Sequence, residues 1–426
     1  MLALRASICA AALLLLGTST AVATTFDHGP YTGAPSASSV TVCWLSTPSV
    51  PARIEYGPRA AWDATGALPS ALAVAAFEQD AFHMTTRVAV TGLAPATEYV
   101  YRVVLIDEQG ETTSPLGAFV TAPPPGESVS FIVLADTQQQ LEGINRLSLV
   151  GAAIAEDDLA YDFIVHAGDV VESPVAPYWD DWFASFATML QRAPFLPVLG
   201  NHEDNHRSYY DTFELPPGAG KEEKQWWALH WGDVVIVGLD TNVSRVADYY
   251  AQQDWAREHL SGIEEHKFVV FHHPVFSSDA YHGSGYSYDV IYHPIFVEHG
   301  VDIVFNGHAH NYEHIERDGV VYLVVGGGGA TPRALAEERA EGSILAAEGH
   351  HFYARVSTAP AEIAVDIVSV AVEIAGAPSP TPDLLIDAFT LPPTPSLSRL
   401  PSLGSLLFAV AVGALLATLV TLLLNR

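Results

Sequence analysis

The stretch Pro197-Val198-Leu199-Gly200-Asn201-His202-Glu203 runs from apolar residues into a glycine, then an amide, an imidazole and a carboxylate. An apolar run that stops on such residues reads as a buried strand with its polar groups at the carboxyl end, the edge of an α/β sheet where binding sites gather. The pattern recurs on both sides. Val129–Ala135 closes on Asp136, and Asp162–Ala167 closes on Gly168-Asp169. Lys267–Phe271 closes on His272-His273-Pro274, and Val301–Phe305 on Asn306-Gly307-His308-Ala309-His310. Each run delivers a residue type that binds metal, so residues as far apart as 136 and 310 can converge in an α/β fold.

The set of types matches one chemistry. Two cations about 3.5–4 Å apart need a bridging carboxylate, further oxygen and imidazole ligands, and an open position for water. Asp136 and Asp169 offer carboxylates, Asn201 a neutral oxygen, and His272, His308 and His310 imidazoles. A lone Gly-Asp is usually a turn and a lone His-x-His is weak evidence, but five motifs in order are not.

Together Asp136, Gly168-Asp169, Gly200-Asn201-His202-Glu203, His272-His273-Pro274 and Gly307-His308-Ala309-His310 resemble the calcineurin-like metallophosphoesterases. The strand-rich module in front, and Val270-Phe271-His272-His273-Pro274, resemble the purple acid phosphatase branch, across residues 26–375. The resemblance implies an α/β/β/α sandwich and two metal ions. Asp136, Asp169 and His310 would hold the first; Asp169, Asn201, His272 and His308 would hold the second, with Asp169 bridging. It implies that His202 contacts the phosphoryl group and protonates the leaving oxygen, and that His282 contacts the substrate phosphate. His273 is left either to assist or to pack.

Two positions depart from the branch. Its Gly-Asp-x-x-Tyr carries an iron-binding tyrosine, where this chain reads Gly168-Asp169-Val170-Val171-Glu172, and Asp136-Thr137-Gln138 has an amide where an Asp-x-His motif has its histidine. Glu172 or Gln138 offers a replacement ligand. The expectation is therefore two divalent ions, Zn, Mn or Fe(II), with no ferric-tyrosinate site. The expected reaction is hydrolysis of small phosphate monoesters by a metal-generated hydroxide. The alternatives are phosphodiesterase action on cyclic nucleotides, nucleotides or phospholipid head groups, and a non-catalytic surface adhesion or binding protein. Cations near the motifs are sparse, Arg207 apart.

The ends of the chain concern membranes. Residues 1–23 have a positive start, an apolar core and Ala21-Val22-Ala23, the form of a signal peptide. Residues 404–424 lack charge and are long enough to span a bilayer as a transmembrane helix or to serve as a sorting tail; residues 379–403 read as a Pro/Ser-rich linker. The protein is thus expected to be exported and anchored with its bulk outside, in an unspecified oligomeric state.

Between these ends, residues 26–122 alternate as short strands, with Trp44 as core. Leu93-x-Pro95-x-Thr97-x-Tyr99-x-Tyr101 resembles the signature of a fibronectin type III sandwich. Pro123-Pro124-Pro125-Gly126 closes that module, and residues 127–378 form the candidate catalytic domain. Gly326–Gly329 reads as a tight turn after a core strand, Phe352–Val372 as strands completing a second sheet, and His259, His266, His293, His299 and His314 as surface groups.

Composition bounds the rest. With 19 Lys+Arg against 49 Asp+Glu the formal net charge is −30, which excludes a general nucleic-acid binder. Hydrophobic residues at 49% exclude a disordered chain. Of two cysteines, Cys9 lies in the leader, so Cys43 has no internal partner after cleavage.

Overall fold

The computed structural model describes residues 23–81, 83–243, 245–284 and 287–392. The expected membrane-spanning segment, 404–424, and the expected leader up to residue 22 lie outside the described residues. Among the described residues no helix is long and apolar enough to cross a membrane.

Two small sheets make the N-terminal module. His28–Gly33, Ser39–Leu45 and Thr86–Thr91 form one; Ala52–Pro58, Ser70–Val74, Glu98–Asp107, Gly110–Thr113 and Gly117–Val120 form the other. Alternation delivers Val40, Val42, Trp44, Ile54, Tyr101, Val103 and Phe119 to the core between them. Tyr99 takes the corner position of such sandwiches, its hydroxyl accepting from the Ala94 N–H at 2.9 Å. The module docks on the segment that follows the Gly-Asn-His-Glu motif. Asp211 accepts from the Met84 and Thr85 backbones at 2.9 and 3.1 Å, and Arg87 donates to the Asp211 carbonyl at 2.8 Å.

From Val129 on, two sheets stack face to face. The first runs Phe195–Pro197, Phe163–His166, Val129–Leu134, His350–Ala359, Glu362–Ile374, Ala377–Leu391, its first three strands parallel. The second has eight strands with Val234–Gly238, His266–Val270, Ile303–Asn306 and Val320–Val325 as its parallel centre. Buried on both faces, these strands read as continuous apolar runs rather than alternations. Aromatic rings lock the sheets: Phe131 meets Phe268 edge-on at 5.2 Å and Phe163 meets Trp231 edge-on at 5.4 Å. Helices Leu147–Ala155 and Ala176–Leu190 cover the first sheet, and Val246–Leu260 with His293–His299 the second. This is the expected α/β/β/α sandwich, but the strands from His350 onward join the first sheet, beside Val129–Leu134, and not the second as expected.

Two further expectations need correction. Residues 379–391 are not the start of a linker but belong to the strand Ala377–Leu391, paired along its length with Glu362–Ile374. Pro378, Pro380 and Pro382 fall at a period of two, so their missing N–H groups share one side, which an edge strand can turn to solvent. Nor are all five histidines surface groups. His266, His299 and His314 are buried, and His314 lies on the strand Tyr312–Arg317. Asp387, on the edge strand, accepts from Tyr312 Oη at 2.8 Å and pairs with His314 Nδ1 at 2.9 Å.

Replacing Asp387 with Ala removes both contacts and should destabilise the fold by about 1–3 kcal/mol, read as a lower unfolding midpoint in urea. An unchanged midpoint would mean that residues 377–391 hang free of the sheet.

Candidate metal centre

All five motif loops leave the carboxyl ends of parallel strands, three from the first sheet and two from the second. They meet where the sheets face each other. Around His272 Nε2 lie Asp169 Oδ2 at 3.1 Å, Asn201 Oδ1 at 3.1 Å and His308 Nδ1 at 3.2 Å, so four proposed ligand atoms share one point. His310 Nε2 stands 3.6 Å from Asp136 Oδ1 on the other side. Two compact triads result, Asp136–Asp169–His272 and His272–His273–His308, each with its ligand atoms within 4.8 Å of one another.

The imidazoles are pre-set for coordination. His272 Nδ1 donates to the Ala167 carbonyl at 2.9 Å and His310 Nδ1 to the Thr331 carbonyl at 2.8 Å. A carbonyl only accepts, so each Nδ1 carries a hydrogen and each Nε2 is the nitrogen left to face the site. Burial lowers His308, and lowers His310 to about 4, which keeps both neutral. His272 differs: burial opposes its charge, but Asp169 outweighs burial and lifts it to about 9. Burial raises Asp136 to about 8, while for Asp169 the His272 charge and hydrogen bond overcome burial and hold it well below the ordinary carboxylate range. A proton on His272 thus stands where a cation would, and binding a metal would release it.

Donor chemistry fits divalent ions. The set mixes carboxylate, amide and imidazole, and Gln138 Oε1 is buried without a hydrogen-bond partner while its Nε2 lies 3.2 Å from Asp169 Oδ2 and 3.1 Å from His310 Nε2. A buried orphan acceptor on a side chain whose amide nitrogen touches two proposed ligands is one that a nearby cation would satisfy. Glu172 instead turns aside: its Oε1 accepts from Gln140 Nε2 at 2.7 Å.

Backbone strain marks the same spot. Asp136, Asp169 and His308 hold φ of 58°, 57° and 68°, a left-handed conformation that costs non-glycine residues about 1–3 kcal/mol each. Cross-bonds hold them there. Asp136 N–H donates to the Gly168 carbonyl at 3.1 Å and Thr137 N–H to the Asp169 carbonyl at 2.9 Å. His308 N–H donates to the Asp136 carboxylate at 2.9 Å.

Three supporting groups have no role in the sequence reading. Glu203, fully buried, accepts from the N–H groups of Gly200 (2.7 Å), Asp169 (3.1 Å), Val170 (2.8 Å) and Val171 (3.2 Å), tying one motif to the next. Thr137 Oγ1 donates to the Val170 carbonyl at 2.8 Å and accepts from Trp182 Nε1 at 3.0 Å. His166 Nδ1 accepts from Gly168 N–H at 3.2 Å, which leaves its Nε2–H to donate to Thr137 Oγ1 at 3.0 Å. Glu203 stood inside the most specific motif, whereas nothing in the spacing of Thr137, His166 and Trp182 signalled their contact.

The glycines act by close approach more than by turning. Of the three that precede proposed ligands, only Gly168 has a left-handed φ, 89°. At Gly200 a Cβ would lie 2.1 Å from Asp169 N and Oδ1. The Gly326–Gly329 run likewise passes hard against the loops, with the Ala309 carbonyl 2.0 Å from a Cβ placed at Gly326.

His202 N–H donates to Asp169 Oδ1 at 2.9 Å and its Nδ1 to the Glu172 carbonyl at 2.8 Å, leaving Nε2 3.9 Å from Asp169 Oδ2. The ring of His282 lies 3.8 Å from that of His308, and its Nε2 is buried without a partner. His273 Nδ1 is tied to Thr241 Oγ1 at 2.8 Å, with its ring 4.4 Å from that of His308. Arg207, the expected nearby cation, faces Glu222 at 3.0 Å and His83 at 3.2 Å instead.

Residues 129–312 match the model of the calcineurin-like phosphoesterase family. A purple acid phosphatase of Glycine max is 27% identical over 269 residues, 58% of this chain and 55% of that protein. The Fe(3+)-Zn(2+) purple acid phosphatase 12 of Arabidopsis thaliana is 26% identical over 166 residues, 35% of each. The match with the soybean protein spans about half of that relative's length. The structure of the purple acid phosphatase PPD1 from yellow lupin seeds superposes with a TM-score of 0.69 at 17% identity, covering 88% of this chain and 76% of that one. Residues 129–312 thus match the calcineurin-like phosphoesterase family, and the chain, with its strand-rich module in front, shares the fold of the yellow lupin purple acid phosphatase.

Proposed function

We propose that the chain is a hydrolase of small phosphate monoesters that works with two divalent ions, Zn, Mn or Fe(II). The observation that carries this reading is the meeting of Asp169, Asn201 and His308 atoms within 3.2 Å of His272 Nε2, with Asp136 within 4.8 Å of the Asp169 and His272 ligand atoms and 3.6 Å from His310 Nε2. Asp136, Asp169 and His310 hold one ion; Asp169, Asn201, His272 and His308 hold the other. When bound, such a pair lowers the pKa of water toward about 7 and neutralises phosphoryl oxygens.

The chain's own groups do the rest. Hydrolysis breaks one phosphorus–oxygen ester bond and forms one to the oxygen of water, whose proton leaves as another is taken up by the departing alkoxide. His202 is placed for that second transfer. Its Nδ1–H is committed to the Glu172 carbonyl, so Nε2 is the nitrogen free to hold and deliver a proton. Glu203 and the Thr137–His166–Trp182 group keep the loops at the spacing the ions need. Since Glu172 replaces the tyrosine of the branch, no phenolate is available there to stabilise ferric iron, and the loaded protein should be colourless.

We also infer export and anchoring by residues 404–424, a reading that rests on the leader and tail sequences alone.

Asp169→Ala should lose bound metal and turnover together, while His202→Ala should keep two ions and lose about 10²–10⁴-fold in turnover of para-nitrophenyl phosphate. Metal analysis beside the kinetics decides: equal metal loss in both variants would overturn the division of roles, and an intense visible band would overturn the divalent pair. Deleting residues 404–426 should move the protein from the membrane pellet to the soluble fraction; equal pelleting would refute the anchor.

A further inference from the structure

Arg333 lies beyond every motif, in residues 330–336, which run along the metal centre. Ala330 N–H donates to the Asp136 carbonyl at 2.9 Å and Arg333 N–H to the His310 carbonyl at 2.9 Å. The far end is joined to the segment that carries His282. Ala280 N–H donates to the Ala334 carbonyl at 3.0 Å, Ala336 N–H to the Ser278 carbonyl at 2.7 Å, and Asp279 bridges Leu335. Backbone bonds therefore fix Arg333 and His282 as neighbours on the rim, without any ligand.

Ring contacts carry this segment to the centre: the Tyr281 ring lies 4.7 Å from that of His282, and the His282 ring 3.8 Å from that of the proposed ligand His308. Yet Arg333 makes no ion pair among the described residues, and its Nη1 is buried without a hydrogen-bond partner, as is Nε2 of His282. The acids on the adjoining segments are occupied. Asp279 accepts from Tyr281 N–H (2.9 Å), His282 N–H (2.8 Å) and Asn311 Nδ2 (2.9 Å), and Glu348 from Leu335 N–H (2.7 Å). The guanidinium carbon sits 5.4 Å from the centre of the Tyr281 ring, and the two side chains line an open cavity of about 520 Å³. A guanidinium with one buried, unmet N–H beside a partnerless imidazole nitrogen is a receptor that lacks its anion.

We infer that Arg333, beside His282, grips a terminal phosphoryl oxygen and selects phosphate monoesters over diesters. The inference rests on the phosphoesterase reading above and sharpens its substrate class. A monoester near neutral pH carries close to two negative charges on three non-bridging oxygens, and a diester one charge on two. A cation beyond the metal ligands therefore adds more to binding of the first, and the planar fork of arginine suits two oxygens of one phosphoryl group.

The test uses the full metal-loaded chain with Arg333→Ala and Arg333→Lys. Three quantities are read: metal content, orthophosphate affinity by calorimetry, and kcat/KM for para-nitrophenyl phosphate against bis-para-nitrophenyl phosphate. Arg333→Ala should keep both ions, weaken orthophosphate about tenfold or more, and cut the monoester-to-diester ratio by about the same factor, chiefly through KM. Arg333→Lys should fall between, since it keeps the charge and loses the fork. An unchanged ratio with unchanged phosphate affinity in both variants overturns the inference, and so does metal loss in both, which would make the arginine structural. Should the unaltered protein hydrolyse neither ester at full metal loading, the phosphoesterase reading fails. The orthophosphate comparison then still decides whether Arg333 holds an anion.

Discussion

Three carboxylates buried against one another set the terms for the whole catalytic domain. Asp136, Asp169 and Glu203 are each almost wholly excluded from water, where an uncompensated charge is very costly. Glu203 is answered by four backbone N–H groups, and Asp169 by His272 and the His202 N–H. Asp136 gains less: it receives the His308 N–H, and burial raises it to about 8. Compensation from the protein alone is thus incomplete, and the deficit is centred where imidazoles turn free lone pairs inward. In the function proposed above, divalent ions complete it.

Bringing those charges together dictates the local backbone. Parallel strands of two stacked sheets aim their carboxyl ends at one line, but side chains at Gly200 or Gly326 would keep the loops apart. The three left-handed residues Asp136, Asp169 and His308 are the strained elements, and the bonds between their loops hold the strain in place. Behind them the aromatic contacts between Phe131, Phe268, Phe163 and Trp231 make a floor that does not give.

Legibility in the sequence followed this division. Parallel strands buried on both faces are continuous apolar runs, so their ends, and with them Asp136, Asp169, Asn201, His272, His308 and His310, stood out from composition and order alone. Residues 379–391 did not, because an edge strand tolerates prolines that read as a linker when pairing is unknown. Strand membership likewise hid from His314, whose partner Asp387 lies 73 residues away. The Thr137–His166–Trp182 contact and Arg333 were invisible for the same reason: each depends on a tertiary approach with no spacing of its own. The net charge of −30 had suggested a chain poor in anion grips. On the proposal made for Arg333, one cation held at the centre matters more to a small ligand than the sum over the surface, since far charges are screened within about 10 Å at ordinary salt.

The central claim is that six side chains from five loops hold two cations through a shared aspartate. Anomalous diffraction from crystals of residues 23–392 loaded with Mn or Zn tests it most directly. Two peaks are expected, one bounded by Asp136, Asp169 and His310 and the other by Asp169, Asn201, His272 and His308. A single peak on His272, His273 and His308, or no peak at full loading, would contradict it.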